Sequence, residues 1–171
     1  MKRLLLLLVT LSLSTNFYAQ DDNDDTSNTL NTTFGIKAGY NATQMKIENE
    51  GRDNVQKEAG VYLGVFINFP TSETFSVQPE LLYSSSRYNY NDNIDLIHVP
   101  ISLKFELANN FTGFIGPEAQ FLLGIGDLDT ELFNTFMFGF HFGATYEIAP
   151  NFFLEGRPYF ALSRLLDNGP G

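Results

Sequence analysis

The stretch Phe34-Gly-Ile-Lys-Ala-Gly-Tyr-Asn-Ala42 alternates between apolar residues and residues that are polar or glycine. The apolar set is Phe34, Ile36, Ala38, Tyr40 and Ala42. A period of two places successive side chains on opposite faces of a β-strand. The stretch therefore predicts a strand with one apolar face and one polar face.

The same alternation recurs along the chain, for example in Ile97-His-Val-Pro-Ile-Ser-Leu-Lys-Phe-Glu-Leu107. Each predicted strand is longer than the ~9–11 residues that a tilted strand needs to cross a bilayer. The seven predicted strands cover residues 33–46, 59–69, 74–86, 94–107, 111–124, 134–148 and 152–164.

Short and long connections alternate along the chain between these strands. The short ones, at 70–73, 108–110 and 149–151, carry turn residues such as Pro and Asn. The long ones, at 47–58, 86–93 and 126–132, are polar. Short turns at one end and long loops at the other are typical of an outer-membrane barrel. We therefore predict an all-β fold, an antiparallel up-and-down transmembrane β-barrel over residues 33–166; a soluble β-sandwich with a Phe-rich core is the alternative.

The first 19 residues have the pattern of a secretory signal peptide. Lys2 and Arg3 form a basic start, Leu4 to Leu13 an apolar run, and Ala19 precedes an acidic stretch. Residues 20–32 are almost all polar and predict a disordered acidic tether. We expect an exported protein of the cell outer membrane, and hence a Gram-negative cell envelope.

Charge and cysteine content exclude several classes of function. Removal of Lys2 and Arg3 with the leader leaves 10 − 2 = 8 basic residues against 20 acidic ones, a formal charge of 8 − 20 = −12. Nucleic acid is therefore not expected as a partner, because phosphate binding needs Lys and Arg clusters. The chain has no Cys, which excludes disulfides and thiolate metal sites.

Parity assigns the polar residues of the strands to the inside of the barrel. Counted from the short turns, several charged residues reach similar heights, and we expect a structural ion network there because buried charges must be paired. Lys104 is expected between Glu80 and Glu118, and Arg157 beside Glu155. The predicted interior network consists of Glu80, Lys104, Glu118, His141, Glu155 and Arg157.

The sequence gives little sign of chemistry. No nucleotide-binding, zinc-protease or serine-hydrolase motif is present. His98 and His141 could form a metal pair or a base acting on Ser102, but a buried polar network is the favoured interpretation. An eight-stranded barrel is just filled by its own side chains. We therefore expect no catalytic residue, no metal, no cofactor and no open pore.

Two segments carry a resemblance to a known family. Ser76-Val-Gln-Pro-Glu-Leu-Leu-Tyr-Ser84 and His98-Val-Pro-Ile-Ser-Leu-Lys-Phe105 resemble the PorT-like outer-membrane β-barrel family, as do Phe34 to Asn41 and Phe114 to Glu118. The resemblance spans roughly residues 33–165 and implies an eight-stranded barrel. It implies no particular activity, although PorT itself is linked to protein secretion and gliding.

Only seven strands are identified, and the family's closing strand is not found. The last residues, 167–171, look like the start of an outer loop, and we expect a truncated chain; the weaker alternative is a barrel closed by an unusual parallel pairing between the first and seventh predicted strands. The expected function is a structural or interaction role with exposed loops. The alternatives are a secretion-associated component, a membrane-embedded enzyme acting on lipid, and a soluble lipocalin-like carrier. The expected partners are outer-membrane lipid and envelope or secretion proteins; the sequence identifies no small-molecule ligand.

Overall fold

A closed barrel of eight antiparallel strands forms the whole of the described structure. This computed structural model describes residues 7–18, 31–49, 52–87, 93–125 and 136–162. Every strand pairs with the next one along the chain, and β1 pairs with β8 to close the barrel. The strands are β1 (Leu7–Tyr18), β2 (Thr33–Asn49), β3 (Arg52–Pro70), β4 (Phe75–Arg87), β5 (Asn93–Ala108), β6 (Phe111–Ile125), β7 (Phe136–Ala149) and β8 (Phe152–Ala161).

The seven strands predicted from alternation are β2 to β8, with bounds that differ by a few residues. The largest difference is at the first long connection. Residues 47–58 were predicted as a loop because they are polar, but β2 and β3 continue pairing until Asn49 lies opposite Arg52. A backbone ladder needs no apolar face, so polar composition alone did not end these strands. Among the described residues, no helix is long and apolar enough to cross a membrane.

The structure contains a closing strand, and the expectation that this strand is missing is wrong. Leu7–Tyr18, which lies in the predicted signal peptide, occupies the position between β2 and β8. The physical reason is in the sequence, since Val9, Leu11 and Leu13 alternate with Thr10, Ser12 and Ser14. An apolar leader with this alternation also satisfies the pattern of a strand. Cleavage of residues 1–19 stays a prediction, and residues 167–171 lie outside the described residues.

Two of the short turns have the same backbone conformation at their second residue. Asn110 and Asn151 both have positive φ, at 66° and 67°. Asn tolerates this left-handed region better than other side chains. A register shift precedes each turn, between Glu106 and Ala108 and between Glu147 and Ala149. Tight connections at this end therefore follow from Asn in the second turn position.

Proline interrupts four of the ladders between neighbouring strands. At each of these seams two successive residue pairs are missing, because proline has no N–H to donate. Each proline interrupts one seam and keeps its pairing on the other side. The affected seams are β3–β4 at Pro79, β4–β5 at Pro100, β5–β6 at Pro117 and β7–β8 at Pro158.

The two faces of the wall are confirmed as predicted. Apolar side chains such as Val61, Leu63 and Phe138 are exposed on the outside, while Gln78 and Glu118 are buried inside. A lipocalin needs the opposite arrangement, with an apolar interior. The core of this barrel is therefore polar, and its apolar surface is left for a surrounding apolar medium.

Candidate functional site: the polar interior of the barrel

The polar interior contains all six residues of the predicted ion network. Glu80 projects from β4, Glu118 from β6, His141 from β7, and Glu155 with Arg157 from β8; these five are buried. Lys104 on β5 is half-buried. The alternation of each strand places them inside, because successive side chains point to opposite faces. The structure divides them between two sets of contacts.

The first set, here called the four-charge cluster, consists of Lys37, Glu80, Glu155 and Arg157. Lys37 Nζ lies 3.1 Å from Glu80 Oε1 and 2.8 Å from Glu155 Oε2. Arg157 Nη2 lies 2.6 Å from Glu80 Oε1 and 2.9 Å from Glu155 Oε1. Each cation therefore bridges both carboxylates, and the two positive charges balance the two negative ones. Phe66 and Phe114 place aromatic rings against Lys37 and Arg157, with 5.5 Å and 5.2 Å to the ring centroids.

Lys104 takes a different position from the one predicted. Its Nζ donates to Gln78 Oε1 at 3.0 Å, and Gln78 Nε2 donates to Glu80 Oε1 at 2.8 Å. Lys104 is therefore linked to Glu80 through Gln78. The prediction that Lys104 lies between Glu80 and Glu118 is wrong. The register explains the error, because Lys104 pairs with Ser76, four residues from Glu80 along β4. Closing a barrel staggers neighbouring strands, so equal counts from the turns are not equal heights.

The second set, here called the histidine chain, consists of Ser84, His98, Glu118, His141 and Ser102. Glu118 lies at its centre, 2.9 Å from Nδ1 of His98 and 3.3 Å from Nδ1 of His141. Nε2 of His98 lies 2.7 Å from the Ser84 hydroxyl, and Nε2 of His141 lies 2.9 Å from the Ser102 hydroxyl. For His98, the Ser84 hydroxyl can donate to Nε2 while Nδ1–H donates to Glu118, whereas Nδ1 of His141 faces Glu118 without a hydrogen bond.

The atom order in each half of this chain is that of a serine-hydrolase triad, in which a carboxylate orients a histidine that contacts a serine. A triad also needs space for a substrate carbonyl beside the serine. Ser84 and Ser102 are both only 1% exposed. The cavity beside Ser84, His98 and Glu118 measures about 10 Å³, close to the minimum for one water molecule. The geometry therefore favours a structural role.

The described residues also offer no metal site. Within them, no three or more His, Cys, Asp and Glu side chains come together in a way that could hold a metal ion. Both Nδ1 atoms of His98 and His141 point to Glu118, and both Nε2 atoms point to serine hydroxyls. Three of the four ring nitrogens of the two histidines therefore have hydrogen-bond partners in the protein, while Nδ1 of His141 faces Glu118 at 3.3 Å without a hydrogen bond.

Sequence reasoning missed the partners that complete both sets. Lys37 was placed on the inner face but not in the network, although it is the residue that links Glu80 to Glu155. His98 and Ser84 were not connected to Glu118. Parity was the available signal for all three, since they share the inner face with the predicted residues. What parity lacked was the relative height of the strands.

A comparison with models of known protein families identifies the family of the chain. A family model described as "Outer membrane protein beta-barrel domain" matches residues 18–167, which is well over half of the 171 residues. No curated protein matches the chain.

Proposed function

Because the chain belongs to the outer membrane protein β-barrel domain family, we propose that it is a structural or interaction barrel of the outer membrane that presents its outer loops and catalyses no reaction. The observation that carries the proposal is the filled interior. The four-charge cluster and the histidine chain occupy the barrel, and the cavity beside them has room for about one water molecule. A barrel filled in this way supports the absence of a conducting path and of a substrate site among the described residues.

The charge balance of the interior supports the same proposal. Three cations, Lys37, Lys104 and Arg157, accompany three carboxylates, Glu80, Glu118 and Glu155. Selective channels line their pores with rings of one sign of charge. Here the two cations and two carboxylates of the four-charge cluster lie within hydrogen-bond distance of each other and link β2, β4 and β8, while Lys104 contacts Gln78 and Glu118 contacts the two histidines. The pairs also make the interior costly to open, since a separated buried ion pair leaves two unpaired charges.

Planar-bilayer recording of the purified protein tests the proposal against a pore. We expect no sustained conductance above the leak of the protein-free bilayer, and a porin inserted under the same conditions serves as the positive control. Sustained channel events from the wild-type protein would show that the interior opens, and would overturn the proposal.

Labelling with a fluorophosphonate tests the proposal against an enzyme. This reagent modifies a serine only when its hydroxyl is activated and accessible. We expect no label on the folded wild-type protein. Stoichiometric labelling that disappears in the Ser84→Ala variant but persists in Ser85→Ala, a neighbouring serine outside the histidine chain, would instead assign hydrolase chemistry to Ser84.

A secretion-associated role is the second candidate. It is supported by the segments Ser76 to Ser84 and His98 to Phe105, which resemble the PorT-like family. Deletion of the gene, followed by a comparison of secreted proteins between the mutant and the parent strain, separates the two proposals. Loss of secreted proteins, restored by the intact gene, would favour the secretion component over a general structural role.

A further inference from the structure

The outer wall of the barrel has a groove where the ladder between β3 and β4 is interrupted. Pairing stops after Phe66 and Glu80 and resumes at Phe69 and Val77. The missing pairs include Pro79, which has no N–H for the ladder. The buried amide oxygen of Asn68, in the interrupted segment, has no hydrogen-bond partner. The two strands are therefore not joined at this level.

The groove at this interruption is large and apolar. Its volume is about 480 Å³, within the range of ~300–1,000 Å³ that is usual for small-molecule sites. Phe34, Ile36, Val65 and Leu81 form its sides, and each is between 45% and 56% exposed on the outer face. The complete lining is Phe34, Gly35, Ile36, Val65, Phe66, Ile67, Pro79, Glu80 and Leu81.

The chemistry of the lining restricts what can occupy the groove. Ordered water needs two to four polar partners, and almost all of these side chains are apolar. Glu80 is the one ionisable residue of the lining, but its carboxylate is fully buried and bonded on the inner side to Lys37 and Arg157. A polar headgroup or an ion would therefore find no hydrogen-bond partner in the groove. A flexible hydrocarbon chain would find apolar side chains to contact.

We propose that this groove, formed by β2, β3 and β4 around Pro79, binds the acyl chain of a membrane lipid. The groove lies on the face whose exposed side chains are apolar, so in an outer membrane it opens directly to hydrocarbon. A chain held there fills the space left by the interrupted ladder and contacts apolar side chains from three strands. The chain in the groove is consequently more ordered than lipid elsewhere along the wall.

The seam between β7 and β8 is the internal comparison. Pro158 interrupts that ladder in the same way. There, however, the ring of Phe160 stacks on both Phe140 and Phe142, with centroids 5.4 Å and 5.6 Å apart. These rings cover the seam from outside. The β3–β4 seam has no such cover among the described aromatic pairs, so its groove stays open for a ligand.

Photo-crosslinking of the wild-type protein in vesicles tests the proposal. The vesicles contain phosphatidylcholine with a diazirine in the middle of one acyl chain, and mass spectrometry maps the label. We expect severalfold more label on Ile36, Val65 and Leu81, which are 52–56% exposed, than on Leu63 and Leu123, which are 63% and 54% exposed. Label in proportion to exposure alone would overturn the proposal.

A filling variant provides the matched control. Ile36→Trp should occupy the groove and remove most of the label from Val65 and Leu81, whereas Leu123→Trp should leave that label unchanged. If Ile36→Trp does not fold, Val65→Phe serves the same purpose on the neighbouring strand. A wild-type protein that carries no label on Ile36, Val65 and Leu81, although Leu63 and Leu123 are labelled, would show that something other than lipid covers the groove, and would also overturn the proposal.

Discussion

Replacing Lys37 by methionine is the most informative perturbation of the interior. Met keeps much of the length of the side chain but removes the charge that bridges Glu80 and Glu155. The Lys37 side chain is 1% exposed, and those of its two partners are 0% and 3% exposed. The substitution changes the formal charge of the four-charge cluster from zero to −1, in a place that water does not reach.

The expected loss of stability follows from these contacts. Removing one partner of a buried ion pair typically costs about 3–5 kcal/mol. Arg157 still contacts both carboxylates, at 2.6 Å and 2.9 Å, and this remaining cation offsets part of the loss. We therefore expect Lys37→Met to lower the free energy of unfolding by about 3 kcal/mol, which is roughly a hundredfold in the folding equilibrium constant.

Urea titration of the protein in lipid vesicles measures this loss, with the gel shift between folded and unfolded protein as the readout. Lys104→Met is the matched control: Lys104 donates one hydrogen bond, to the neutral Gln78, and its loss should cost about 1 kcal/mol. The double variant Lys37→Met with Glu80→Gln should regain at least about 1 kcal/mol over the single variant, because the stranded carboxylate is gone. If Lys37→Met costs no more than Lys104→Met, and the double variant regains nothing, the four-charge cluster does not stabilise the barrel and the reasoning fails.

Three further predictions concern the wall and the leader. Leu63→Arg places a charge on the outer face and should cost ~2–4 kcal/mol in vesicles, whereas the same substitution at Thr74, in an exposed turn, should stay within ~0.5 kcal/mol; equal effects would contradict the lipid-facing assignment. Gly116→Ala adds a Cβ that overlaps a backbone carbonyl of β5 and should cost ~1–3 kcal/mol, while Gly124→Ala meets open space and should be neutral or slightly stabilising; thermal unfolding of the pair checks this, and the reverse order would contradict the packing. Cleavage after Ala19 would remove β1, so the intact mass of membrane-extracted protein separates the two interpretations of this segment: a mass that lacks residues 1–19 supports the signal peptide, and a mass that includes them supports Leu7–Tyr18 as the closing strand.

Alternation was enough to predict the strands and their faces. The apolar residues of 34–42 and the polar residues between them separate the two faces of β2, because the period of a strand admits no intermediate orientation, and the closed barrel then shows that the polar face is the inner one. Alternation is a local property, and it depends on no knowledge of the neighbouring strand.

The contacts inside the barrel could not be predicted in the same way. Whether Lys37 or Lys104 bridges the carboxylates depends on the stagger between strands, which arises only when the sheet closes. The closing strand was ambiguous for another reason. Val9 to Phe17 alternates within an apolar leader, so one segment fits two patterns, and the sequence alone does not choose between them.

The equality of positive and negative charge inside the barrel has an electrical consequence. Among the interior side chains that the structure describes, the Lys, Arg and Glu residues named above contribute 3 − 3 = 0 formal charges. A voltage across a membrane does work of about 2.3 kcal/mol per 100 mV on each unit charge moved through it. The net work that such a voltage does on these three cations and three carboxylates together is zero. The full formal charge of −10 therefore belongs to residues outside this balanced set. A Donnan potential across the outer membrane consequently exerts no net force on the balanced charges inside the barrel.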